Sequence, residues 1–243
     1  MLDTSANNKR IAKNTLMLYF RMVLLLVISL YTSRVILREL GVDDYGVYNV
    51  VGGIIVILSF LNQAMASGTQ RFLNVEMGKN DQKAVNKVFA TSQQIHFGVS
   101  FCMFIIAETV GLWFLNNYMN IPEGRLGAAN WVYQFSIISA IFGVFTVPYN
   151  ATIISHEKMS AFAYISIVEA VLKLLVAFAI IWAPYDKLII YAALIMLVSM
   201  INCVVYVNYG IKNFEECRHF TLKRNKLMMK QMLSFSGWTV FGN

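Results

Sequence analysis

Residues 164–182, YISIVEAVLKLLVAFAIIW, limit the fold more than any other stretch of the chain. As a helix they measure roughly 28 Å, about the thickness of bilayer hydrocarbon. They nevertheless carry Glu169 and Lys173 in their interior. Two ionised groups at mid-membrane cost about 5–7 kcal/mol on insertion scales, and the strongly apolar residues around them return about 3–7 kcal/mol. With the two sums nearly equal, the charges must meet each other, other charges or water. Glu169 precedes Lys173 by one turn, the favourable order for an i,i+4 pair. Ser166, Glu169, Ala170, Lys173 and Ala177 fall on one side of the helix, and bulky apolar residues cover the other. The pair is either an internal salt bridge that fixes packing or part of a solvated substrate path. The second reading is favoured because intramembrane ionisable groups so often mark such paths.

Apolar runs of comparable length recur at about 14–37, 46–67, 88–115, 128–149 and 188–209, and a further one opens near residue 232. With 58% hydrophobic and 14% charged residues, this is the composition of a membrane protein. The expected fold is all-α: a polytopic membrane helix bundle of six complete spans plus the start of a seventh. Residues 1–210 are read as one six-helix lobe. Residues 211–243 are read as a basic linker leading into the seventh helix, where the chain is expected to be truncated. The first run is long enough to span and lacks a small-residue cleavage site, so it is not read as a signal peptide.

A net charge of +7 raises the question of nucleic acid, but the excess sits in loops between apolar runs, and no aromatic-interleaved basic groove appears. If the N-terminus is cytoplasmic, most of the Lys and Arg residues fall on that side, leaving Arg34, Arg38, Arg125 and Lys187 on the other. The positive-inside rule therefore predicts a multi-pass protein with its N-terminus in the cytoplasm. The connections are read as loops at 38–45, 68–87 and 116–127, a tight turn at 156–158, and a basic segment at 210–230 that is either a loop or a surface helix.

Other polar residues within the spans are candidates. Arg21, on a face with Asn14 and Thr32, lies near the depth of Glu169, and either lines a cavity or snorkels to headgroups. Glu108 has no local partner and is expected to face the bundle, as a neutral acid or a coupling site. In the second run Asn49, Gly52, Val56, Ser59, Gln63, Ala66 and Gln70 form a small or polar seam at three- and four-residue steps. It suits close helix packing or, as a minority reading, a wet cavity.

Enzymatic signatures are missing. There is no glycine-rich phosphate loop, HExxH, CxxC or nucleophile elbow, and no DxD spacing for a metal-bound sugar nucleotide. His96, His156 and His219 sit apart and are read as interfacial polar residues. Cys102, Cys203 and Cys217 form no disulfide or zinc pattern. No enzyme, cofactor or metal is expected.

Three stretches carry a resemblance: RELGVDDYGVY at 38–48, with Gly41, Asp43, Asp44, Tyr45 and Gly46; GTQRFLNVEMGKN at 68–80, with Arg71; and VPYNATIISHEKMS at 147–160, with Pro148. In this order around six spans, the chain resembles the polysaccharide-export flippases of the multidrug/oligosaccharidyl-lipid/polysaccharide exporter superfamily, in their N-terminal lobe. The resemblance implies a transporter of the bacterial inner membrane. It would move a polyprenyl-pyrophosphate-linked glycan from the cytoplasmic to the periplasmic leaflet by alternating access, for a surface polysaccharide such as O-antigen. It also implies membrane lipid and polysaccharide assembly proteins as partners. On this reading Arg21 and Lys173 neutralise the pyrophosphate, Glu169 holds Lys173 between cycles, and Glu108 binds a coupling proton or sodium. The alternatives are a drug/cation antiporter of the same superfamily and a non-transporting scaffold subunit in envelope glycan synthesis.

Overall fold

The computed structural model describes residues 4–59, 61–218 and 225–241. Helix α1 (Thr4–Ser59) is broken at Gly41, whose φ of 79° belongs to the left-handed region that glycine adopts without a Cβ clash. The chain turns there on one residue, which corrects the loop expected over 38–45. The outgoing arm runs beside α6 (Met159–Ala179): the Arg21 guanidinium lies 4.2 Å from the centre of the Phe162 ring, and further along Tyr31 meets Phe178. The returning arm packs Val47, Val51 and Ile55 against Ala107, Leu115 and Tyr133.

Helix α2 (Leu61–Gly78) continues well past residue 67, and α3 (Gln82–Ile106) starts just after it. The loop expected at 68–87 is therefore a turn of three residues. Asn80 has a φ of 56°, and the Asp81 carboxylate caps α3 by accepting from the Ala84 N–H at 3.0 Å. Arg71, Asn74, Lys83 and Lys87 are exposed on these helices, so their polarity does not mark a loop.

A π-helical turn, Ala107–Gly111, joins α3 to α4 (Leu112–Asn117), followed by α5 (Leu126–Ser155). A 3₁₀ turn, Ile180–Trp182, ends α6. Then come α7 (Lys187–Asn213), the 3₁₀ turn Glu216–Arg218, and α8 (Lys226–Phe241) against α2. The segment 210–230 is thus only partly a loop. Helix α7 extends into it, Glu216 and Cys217 are buried, and α8 begins at Lys226, before the expected start near 232. His219, Phe220, Leu222, Lys223 and Arg224 lie outside the described residues.

Among the described residues, five helices are long and apolar enough to cross a membrane, and the longest, Asn14–Val56, becomes two crossings at Gly41. The bundle is an all-α, polytopic membrane fold with six crossings. Its outer surface shows Leu16, Phe20, Val23, Val27 and Leu30 on the outgoing arm, as expected where the solvent is hydrocarbon. The seam of the second run does not pack inward. Asn49 and Gln63 are exposed and Val56 is 69% exposed, because the returning arm buries its other face, Val47, Val51 and Ile55.

The two ends differ in charge. At the Gly41 end, Arg125 forms charge-assisted hydrogen bonds with two carboxylates: its Nε donates to Asp44 Oδ1 at 2.7 Å and its Nη1 to Asp186 Oδ2 at 2.6 Å, with a further contact to Asp44 Oδ2. Lys187 donates to Glu39 at 3.0 Å. Three of the four cations assigned to that side by counting therefore sit among acids, Arg38 beside Glu39 included. The opposite, basic end is tied by Glu216, whose carboxylate meets His156 Nε2 at 2.6 Å and Gln82 at 3.4 Å. His156 also stacks on Phe214.

Candidate functional site

The expected pair in α6 forms as its spacing dictates. Lys173 Nζ donates to Glu169 Oε1 at 2.6 Å. The second carboxylate oxygen accepts from Asn202 Nδ2 of α7 at 3.0 Å. Asn202 was not singled out in the sequence, where a lone asparagine in an apolar run has no local partner to betray it. With both carboxylate oxygens engaged, Glu169 is held as a hydrogen-bond acceptor and α6 is joined to α7. Lys173 keeps 43% of its side chain exposed, so two of its three donors face away from Glu169.

Arg21 of the outgoing arm meets α6 about 10 Å nearer the basic end than Glu169, at Phe162 in the first turn. Its guanidinium lies over the Phe162 ring, a cation–π contact, and its buried Nε has no hydrogen-bond partner. Tyr206 of α7 is within electrostatic reach of both Arg21 and Glu169. Glu169, Lys173 and Asn202 thus form one polar group between α6 and α7, with Arg21 on the outgoing arm toward the basic end.

Glu108 belongs elsewhere. It sits in the π turn with no local partner, and Gln134 of α5 donates to its Oε2 at 3.2 Å. The partner is 26 positions away in sequence and is brought near only by packing of α3 against α5. Helix α5 starts at the Gly41 end, which puts Gln134 roughly 12 Å from that end. Glu108 contacts α5 and lies beside the returning arm, whereas Glu169 contacts α7, so the four charges read as one cavity divide into two places.

The motif residues have mainly structural work. Gly41 makes the hairpin, and Asp44 binds Arg125. Asp43 is exposed, and the Tyr45 carbonyl accepts from Asn49. Gly46 has open space where a Cβ would sit. Arg71 lies 4.3 Å over the Phe235 ring, joining α2 to α8. Pro148 is buried inside α5, and its carbonyl accepts from Thr152. His96, expected near a span end, is buried within α3, with Nδ1 2.7 Å from the Ser92 carbonyl. Among the described residues no group of three His, Cys, Asp or Glu is arranged to hold a metal.

No protein-family model and no curated protein matches the chain. Among solved structures it is similar to a crystal structure of a MATE point mutant, with a TM-score of 0.79 and 12% sequence identity. The likeness covers 96% of this chain and 52% of that one, so this chain spans about half the length of the structure it matches. Similarity at this identity establishes the fold, and the chain has that of half a MATE protein.

Proposed function

We propose that the chain belongs to a transporter that flips a polyprenyl-linked oligosaccharide across the inner membrane by alternating access, with the basic end facing the cytoplasm. The observation that carries this reading is the intramembrane group Arg21, Lys173, Glu169 and Asn202. A scaffold needs no half-exposed lysine and no unpaired arginine nitrogen within its spans. A carrier of an anionic pyrophosphate needs cations there that can exchange partners. Glu169 holds Lys173 when the substrate is absent. The exposed seam of Asn49 and Gln63 supplies a polar wall for the glycan. Glu108 with Gln134 is the candidate site for a coupling proton or sodium.

The fold likeness to the MATE structure favours a second reading, drug or cation antiport within the same superfamily. The two differ in which charges matter. Arg21→Gln and Lys173→Gln together, made in the full-length protein, are expected to reduce glycan export by roughly tenfold or more. Intact export in that variant would overturn the flippase reading. Loss of function only with Glu169→Gln or Glu108→Gln would favour antiport.

A further inference from the structure

A cavity of about 900 Å³ opens between α3, α5, α7 and the first turns of α8. That is within the size range of small-molecule sites. Arg21, Glu169, Lys173 and Glu108 are not on its wall, so it is separate from the transport site proposed above and stands independently of that reading.

The wall changes character along its length. Helix α3 leads away from the basic end and α5 leads toward it, so Gln93 and Tyr149 lie on the side of the basic end, and Phe97, Phe142 and Phe145 lie deeper. The Phe97 and Phe145 rings are 6.3 Å apart. Gln93 Nε2 donates to the Tyr149 hydroxyl at 2.9 Å, which leaves Oε1 as a buried acceptor without a partner. At the same level His96, 1% exposed, holds its Nδ1 on the Ser92 carbonyl and leaves Nε2 unpaired. A wall built only to face hydrocarbon does not need two such groups.

The exposed Lys87, Lys226 and Lys230 stand on the walling helices α3 and α8, on the side of the basic end. Thr91 meets the Met228 sulfur at 3.7 Å, which holds α8 against α3 one turn beyond the exposed Lys87. Lys226 stands one turn before Met229, which lines the cavity, and Lys230 adjoins Met229.

We propose that this cavity binds one anionic phospholipid from the leaflet at the basic end. Its phosphate lies among Lys87, Lys226 and Lys230, and a water donates to both an ester carbonyl and Gln93 Oε1. An acyl chain runs inward past Phe97 and Phe145, and His96 Nε2 takes a hydroxyl or water proton at the ester level. The order of cation, hydrogen-bonding collar and apolar shaft matches the order of groups in a phospholipid and no simple soluble ligand.

The test is native mass spectrometry of the purified full protein in detergent, with phosphatidylglycerol and phosphatidylcholine of equal chain length. One phosphatidylglycerol is expected to survive delipidation with roughly tenfold preference, since lysines near the membrane surface favour anionic lipid. Lys87→Gln with Lys226→Gln should abolish the preference. Gly98→Leu, on the cavity wall where a Cβ meets open space, should reduce retention of the bound lipid. Equal retention of the two lipids by the unmodified protein would overturn the proposal, as would unchanged selectivity and retention in the variants. Should a variant fail to fold, the unmodified protein still decides. Cys102 is exposed on the cavity wall, and its maleimide labelling should slow severalfold with phosphatidylglycerol and not with phosphatidylcholine. Equal slowing by both lipids, or none, would also overturn it.

Discussion

The hydroxyl of Tyr133 donates to the carbonyl of Ala107 at 2.8 Å, at the first residue of the π turn that carries Glu108. A π turn shifts the i→i+4 hydrogen-bond register, so the Ala107 carbonyl accepts from the Leu112 N–H, and Tyr133, fully buried on α5, adds a second donor to it. The same hydroxyl sets the side chain allowed one turn later. A Cβ on Gly111 would stand 1.9 Å from it.

Gly111→Ala is therefore expected to destabilise the bundle by about 1–3 kcal/mol, the usual cost of overpacking. Tyr133→Phe removes one of the two hydrogen bonds to the Ala107 carbonyl, which keeps the one from the Leu112 N–H, and costs about 0.5–1.5 kcal/mol by a different route. Because the clash is with the oxygen, the double variant should be less destabilised than the two single effects added together. Thermal unfolding of the detergent-solubilised protein measures all three. Strict additivity would show that the two residues are not coupled.

Arg125 makes a second testable junction. Its hydrogen bonds to Asp186, set against a partial burial cost and joined by those to Asp44, hold its pKa above the ordinary arginine value. Arg125→Met should cost about 1–3 kcal/mol, below the full penalty for a buried pair because the groups are partly exposed. Adding Asp44→Asn and Asp186→Asn should recover part of the loss, since the single change leaves two carboxylates side by side. Chemical denaturation of the single and triple variants checks this, and a triple variant less stable than the single one would refute it.

The Glu216 junction predicts a pH dependence. Burial pushes this carboxyl's pKa up, but the hydrogen bond and charge of His156, a backbone N–H and Gln82 outweigh it, and the net shift is downward. A carboxyl lowered in the folded state contributes stability that is complete above its ordinary value near 4.5 and is lost as pH falls through the lower folded value. The melting temperature should accordingly drop on acidification below about pH 4.5. Glu216→Gln should remove that part of the acid dependence while lowering stability at neutral pH. An acid profile identical in the two proteins would show that Glu216 does not contribute.

By itself the chain's order of apolar runs determined the membrane class, the six crossings and the Glu169–Lys173 pair. These follow from local periodicity: a run of spanning length needs no knowledge of its neighbours, and an i,i+4 pair is set within one helix. Gly41 stood in a recognisable motif, but a one-residue hairpin looks like a loop in sequence, because acids flank it on both sides. Tertiary structure alone decided that Asn202 completes the Glu169 site, that Gln134 partners Glu108 and that Glu216 finds His156. Each joins residues 26 or more positions apart, brought together by helix packing that no local pattern encodes. Packing also decided which face of the returning arm is buried. Val47, Val51 and Ile55 compete with the small, polar seam for the interior, and burying three branched apolar side chains wins.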